Sequence, residues 1–167
     1  MIDTSFRLDY RACKELLTKR LGEPAPGRIQ LLAGPRQVGK TTLLLELARD
    51  LASSAVYAAA DAPEAALPGF WERLLTRVDD AIAGRRHAVL LLDEAHLLPD
   101  WSARLKGVWD RYRRHKSPVH IVATGSSALH LAAGSRESPR RSAARSQRGS
   151  PPEERRGAFG PDGNPVG

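Results

Sequence analysis

Apolar residues recur along this chain in two rhythms. Short unbroken apolar runs alternate with longer stretches in which apolar residues return at helical spacing. The runs at 29–33, 55–60, 88–92 and 119–124 predict strands. The run at 88–92, Ala-Val-Leu-Leu-Leu, has the continuous apolar character of a strand covered on both faces. Helical spacing predicts a helix over 7–21, with Leu8, Leu16, Leu17 and Leu21 as core contacts, ended by the Pro- and Gly-rich 22–27. A second helix is predicted over 42–51 from Leu43, Leu44, Leu47 and Leu51. A third over 67–82 carries Phe70, Leu74, Leu75, Val78 and Ile82 on one face and is stopped by Gly84. A fourth spans 101–115, and a short one 127–133. Strand followed by helix, repeatedly, predicts an α/β fold with a parallel sheet and right-handed crossovers.

Between the first strand and the helix after it lies Gly34-Pro35-Arg36-Gln37-Val38-Gly39-Lys40-Thr41, followed by Thr42. It fits G-x-x-x-x-G-K-[ST] at every fixed position. In such a loop the glycines let the backbone curl, so that N–H groups converge on phosphate oxygens. Lys40 reaches the β- and γ-phosphates, and the Thr41 hydroxyl ligates Mg²⁺. The following helix aims its positive end at the same anion. A Gly/Pro turn that happens to end in Lys-Thr would lack the preceding strand and the following amphipathic helix; both are here.

The strongest strand runs into Asp93-Glu94. An apolar strand ending in Asp-Glu downstream of a phosphate loop is the Walker B pattern. Asp93 would hold Mg²⁺, and Glu94 would polarise the attacking water as general base. No Asn-Lys-x-Asp guanine motif is present, and kinases of small molecules usually lack an acid at the position of Glu94. ATP hydrolysis is therefore favoured over GTP hydrolysis and over phosphoryl transfer. At the end of the fourth strand Thr124, or failing it Ser126, is placed to sense the γ-phosphate; a plain Gly/Ser turn is the alternative.

These motifs together resemble a bacterial and archaeal family of AAA+-type ATP-binding proteins. The shared segments are Gly34 to Thr42, Leu92-Asp93-Glu94 with Leu98-Pro99-Asp100-Trp101, Thr124 to Ser127, and Asp61-Ala62-Pro63 after the second strand. The resemblance covers about 7–138. It implies a P-loop NTPase fold, a three-layer parallel sheet flanked by helices, with ATP and Mg²⁺ as cofactors. It also implies a longer C-terminal part, often winged-helix-like and nuclease-like. The expected organisation is an N-terminal helix and linker over 1–27, the ATPase core over 28–137 and, from its composition, a disordered tail over 138–167.

Charge and composition change this picture little. The net charge of +7 owes +3 to the segment from Ser138 onward, with six arginines against three acids. The rest is of mixed sign without aromatic interleaving, so a nucleic-acid partner is weakly supported against a solvated surface. One cysteine, Cys13, excludes an intrachain disulfide and suits a reducing cytoplasm. No apolar run reaches bilayer length, and the N-terminus lacks a signal-peptide pattern, so no membrane role is expected. Weaker candidates are His96 near the nucleotide, Arg36 on phosphate, and Arg111, Arg113 and Arg114 toward a neighbouring subunit or DNA. Trp101 and Trp109 read as core or interface.

From Ser138 the periodicity disappears, and Gly, Pro, Arg and Ser make up 20 of 30 residues. Where the family continues with Leu-Ala-Gly-Arg, this chain has Pro139-Arg140-Arg141-Ser142. One inserted C converts CTC GCC GGT CGN into CCT CGC CGG TCG, so a single-base insertion, real or a sequencing error, would account for the change of character, a hypothesis that resequencing the locus tests. The sheet is then expected to be incomplete at its C-terminal edge, beside the phosphate-loop strand, and a later γ-phosphate arginine is expected to be missing. Two other functional classes stay open: an ATP-binding interaction module without turnover, acting with a protein partner or a second copy, and a DNA-binding protein.

Overall fold

The computed structural model describes residues 8–125. Ser126, the short helix over 127–133, the tail over 138–167 and the inserted-base reading lie outside the described residues.

Eight principal elements follow in the order α1 (Tyr10–Leu21), β1 (Ile29–Ala33), α2 (Lys40–Leu51), β2 (Ala55–Ala59), α3 (Phe70–Arg85), β3 (Ala88–Asp93), α4 (Trp101–Arg114) and β4 (Val119–Gly125). The strands form one parallel sheet in the order β1-β4-β3-β2. β3 and β4 are central, and every residue of both is buried. That is why their sequences are continuously apolar: each side of the pleat meets a helical layer.

Alternate β3 residues divide between two cores. Ala88, Leu90 and Leu92 pack with Phe70, Leu74 and Val78 of α3 and with Trp101, Leu105 and Val108 of α4. Val89 and Leu91 face the other way, against Leu17 of α1 and Leu43, Leu44 and Leu47 of α2. The result is three layers, helix–sheet–helix. Each fully buried Leu or Val in them contributes about 1.5–3 kcal/mol over exposure.

β1 has β4 as its only strand neighbour among the described residues, and Leu31 on it is 47% exposed. Among the described residues the sheet therefore ends at β1, the strand that leads into the 34–39 loop.

Three details differ from the sequence reading. The first helix starts at Tyr10, capped by the Asp9 carboxylate, which accepts from Ala12 N at 2.8 Å. Leu8 precedes it and is exposed, Leu16 and Leu21 are half-buried, and only Leu17 enters the core fully. The third helix begins at Phe70, because Gly69 at φ 76° turns the chain into it. It also runs through Gly84 and stops at Arg86, which takes φ 66° and donates its N–H to Ile82 O at 2.8 Å. A helical glycine costs only about 0.5–1 kcal/mol, which is too little to end a helix whose other face is buried. No described helix is long and apolar enough to cross a membrane.

Candidate nucleotide site

The C-terminal ends of β1, β4 and β3 lie side by side, and the loops leaving them share one edge of the sheet. In open parallel sheets this edge is where ligands bind. The register fixes the arrangement: Ala33 pairs with Gly125, and Leu92 with Ala123, so Asp93 emerges next to Thr124.

The loop over 34–39 joins β1 to α2. Gly39 takes φ 88° immediately before the first helical residue, Lys40, and Leu43 N closes the first turn on Gly39 O at 2.9 Å. The amides before it, of Lys40, Thr41 and Thr42, belong to the first turn, whose N–H groups have no intrahelical acceptor and suit an anion. The other left-handed residue of the loop is Gln37, at φ 62°, rather than Gly34. Gly34 instead ties the loop to the sheet, donating its N–H to Gly125 O at 3.4 Å. Lys40 is buried, and its Nζ donates to the carbonyls of Gly34 at 3.1 Å and Pro35 at 2.7 Å. The ammonium is therefore held over its own loop. Pro35, Arg36, Gln37, Val38, Thr41 and Thr42 are exposed, so the hydroxyl of Thr41 is open to a ligand.

The acidic half is more tightly built. Asp93 is 2% exposed. Its Oδ1 accepts from the Thr124 hydroxyl and, at 3.1 Å, from Glu94 N. Thr124 Oγ1 in turn accepts from Glu94 N at 3.0 Å. Thr124 is fully buried, so its hydroxyl is committed within this triangle. On the other side Tyr57 OH donates to Asp93 Oδ2 at 3.3 Å. Burial, and then the nearby Asp93 charge, push the Tyr57 phenol up to about 12. It stays a neutral donor throughout the physiological range. Glu94 itself takes φ 49°, a costly conformation for a non-glycine residue. Its Oε2 lies 3.3 Å from His96 Nδ1, both side chains being mostly buried.

Lys40, Asp93, Glu94 and Thr124 thus stand on one sheet edge, and His96 joins them through Glu94. The remaining candidates go elsewhere. Trp101 is buried in the core under α4, while Trp109 is half-buried and donates Nε1–H to Gly27 O at 3.1 Å. Arg111 pairs with Asp79 at 2.7 Å, and Arg113 stacks over the Trp109 ring at 5.0 Å. Sequence reasoning missed Tyr57, which is 36 positions from Asp93 and carries no local signal.

Among the described residues no three His, Cys, Asp or Glu side chains converge as a metal cage. Magnesium on a nucleotide requires none, since phosphates and water supply most of its oxygens. One buried carboxylate and one open hydroxyl are the hard donors that such an ion takes.

A family model described as an AAA domain matches residues 26–147. No curated protein matches the chain. Among solved structures, a Thermotoga maritima RuvB variant is 24% identical with a TM-score of 0.49, covering 72% of this chain and 37% of its own. AMPPCP-bound DnaA from Aquifex aeolicus is 15% identical with a TM-score of 0.45, covering 75% and 44%. A katanin structure concerned with self-assembly is 19% identical with a TM-score of 0.46, covering 70% and 40%. The chain therefore spans less than half the length of each of these proteins. With the family match covering most of the chain, and a parallel β1-β4-β3-β2 sheet carrying its loop at the strand ends, the chain belongs to the AAA-domain family and holds an AAA+-type P-loop ATPase core.

Proposed function

We propose that the chain binds Mg-ATP between the 34–42 loop and the Asp93–Glu94 strand end, and that it hydrolyses the γ-phosphate. The observation that carries this is the closed triangle of Thr124, Asp93 and the Glu94 backbone, at the ends of β4 and β3, with β4 paired to the strand that leads into a phosphate loop whose lysine is buried and held. In this reading the loop N–H groups and Lys40 grip the β- and γ-phosphates, with Gly34 to Thr42 forming the cradle. Thr41 and Asp93 hold the magnesium ion, which when bound neutralises charge on the phosphates. Glu94 accepts the proton of the attacking water as the water oxygen bonds to the γ-phosphorus, the bond from that phosphorus to the β,γ-bridging oxygen breaks, and ADP and inorganic phosphate leave. Thr124 acts by position: its hydroxyl fixes the Asp93 carboxylate and the Glu94 backbone, and γ-phosphate sensing runs through those two groups.

The domain reading belongs to the same proposal: an N-terminal helix and linker over 1–27, the core over 28–137 and a separate tail after it. So does assembly with a protein partner or a second copy.

Mg-ATP binding followed by calorimetry, with phosphate release measured alongside, tests the proposal. Lys40→Ala should abolish binding, while Glu94→Gln should keep binding and lose phosphate release. Equal affinity in wild type and Lys40→Ala would sink it. One observation favours a second reading. Glu94 Oε2 lies 3.3 Å from His96 Nδ1, and a carboxylate with a histidine at that distance suits a nucleotide-dependent interaction module. Mg-ATP binding by the wild type with no phosphate release would select that module.

A further inference from the structure

The edge of the sheet opposite the nucleotide site collects positive charge. Three segments enter their strands there: the linker into β1, the end of α3 into β3, and the end of α4 into β4. They carry Arg28, Arg85, Arg86, Arg113, Arg114 and Lys116, all exposed. The ladder holds them together. Ala88 pairs with Val119 and donates its N–H to Pro118 O at 3.0 Å, which sets the turn into β3 beside the turn into β4. Ile29 pairs with Ile121, so Arg28 stands level with His120 on the other side of β4. Arg86 at φ 66° and Lys116 at φ 51° are the left-handed residues of those two turns.

This charge is not balanced. Among the described residues none of the six groups has an ion pair, while Arg11, Lys14, Arg49 and Arg111 each have one. The segments 26–28, 85–87 and 113–118 contain no Asp or Glu. Glu23, whose main-chain oxygen meets His120 Nε2 at 3.1 Å, is a carboxylate at the β1 margin, and Asp110 stands one turn before Arg113 and Arg114. Residues 8–125 hold eighteen Lys and Arg against fourteen Asp and Glu; without these six, twelve cations would face fourteen acids. The positive excess of the described fold therefore sits on this one edge. Five of the six are arginines, whose planar forks match phosphate oxygens. None of the exposed large apolar side chains lies in the three segments, so the anchor of a lipid-binding surface is missing here. Trp109, the indole at this margin, is half-buried with the Arg113 guanidinium over its ring at 5.0 Å, so it offers no open platform for the bases of a single strand. Charge without insertion or stacking fits the sugar-phosphate backbone of a duplex.

We propose that this edge is a second binding surface, which holds the phosphate backbone of duplex DNA without reading its sequence. It stands apart from the Mg-ATP reading: the seven residues of β4, about 20 Å of strand, separate the two edges. Arg111 is not part of it, being paired with Asp79 at 2.7 Å. Arg113 is, because lying over an indole leaves its charge in place.

The test is fluorescence anisotropy of a labelled random-sequence duplex, titrated with the full chain at salt concentrations from about 50 to 200 mM. The logarithm of affinity should fall linearly against the logarithm of salt, with a slope of about −3 to −5. Replacing one arginine per segment, Arg28→Gln with Arg85→Gln and Arg114→Gln, should weaken binding about tenfold or more at the lowest salt and flatten the slope by about 2–3. The matching triple Arg→Lys variant keeps the charges and should keep the slope, which decides the matter if the Gln variant melts early. The basic segment after Ser138 supplies the comparison: Arg140→Gln with Arg141→Gln and Arg145→Gln removes the same charge elsewhere and should leave the slope within about one unit of wild type. An equal loss in that variant would show that binding follows net charge or the tail, and would overturn the proposal. So would an edge variant that binds as the wild type does, or a wild type that ignores the duplex, including one that binds phosphatidylserine vesicles instead. Lys40→Ala should bind the duplex as the wild type does, so failure of the Mg-ATP reading leaves this result unchanged.

Discussion

Asp93 shows how few atoms decide the chemistry of this edge. Its carboxylate is buried, and a buried charge is tolerated only when its oxygens are met by donors. Thr124, Glu94 N and Tyr57 meet them. Thr124→Val keeps the shape and removes the hydroxyl, leaving Asp93 Oδ1 one donor short and Glu94 N without one of its acceptors. On the proposed function, in which Asp93 holds the metal ion, phosphate release should fall by about 10–100-fold, the usual effect of losing a group that orients a metal ligand. Nucleotide affinity should stay within a few-fold, because the loop and Lys40 are untouched. A fall in affinity as large as the fall in rate would show that Thr124 supports the whole site. Lys40, Thr41, Asp93 and Glu94 were legible in the sequence because their chemistry demands fixed local spacing. Tyr57 was not, because it makes its contact through the fold, with no spacing rule linking it to Asp93.

Among the elements, the strands were read almost residue for residue. A strand buried on both faces has to be apolar throughout, and such runs have sharp ends. Helix ends were harder. Their limits depend on single residues such as Gly69 and Arg86, which take left-handed conformations that the apolar pattern does not register. Gly84 is the instructive case. It looks like a stop, yet it is an exposed helical residue, and an added Cβ there would meet nothing within 4 Å. Gly84→Ala should therefore stabilise the protein by roughly 0.5–1 kcal/mol, visible as a higher urea midpoint with an unchanged slope. Destabilisation instead would mean that α3 ends before this position in solution. The first helix was misjudged for a related reason. Its apolar residues were counted as one face, but it starts late enough to leave Leu8 outside and brings Tyr10 to the loop instead.

For the whole molecule, pH acts through a buried histidine. His120 sits on the central strand β4, with Nε2 3.1 Å from Glu23 O. Burial holds its pKa below the usual histidine value, and the bond to Glu23 only partly offsets this. In the unfolded chain the ring takes a proton near pH 6.5, while the folded protein resists it. The unfolded state then binds more protons, and stability should fall as pH drops below about 6.5. Chemical denaturation at pH 7.5 and 5.5 should show this loss in the wild type and a smaller one in His120→Gln. Equal losses in the two proteins would remove His120 as the cause.

The same strand has a further consequence. β4 is hydrogen-bonded to β1 on one side and β3 on the other, so the phosphate grip and the carboxylates are both indexed to it. Their separation is set by strand spacing, about 4.8 Å per step across the sheet, and no rotamer change alters it. On the proposed function, the backbone positions from which the loop and the carboxylates leave the sheet are spaced by its ladder, and the 34–39 loop and the turn after Glu94 are the segments through which a change at the nucleotide would pass to the rest of the protein.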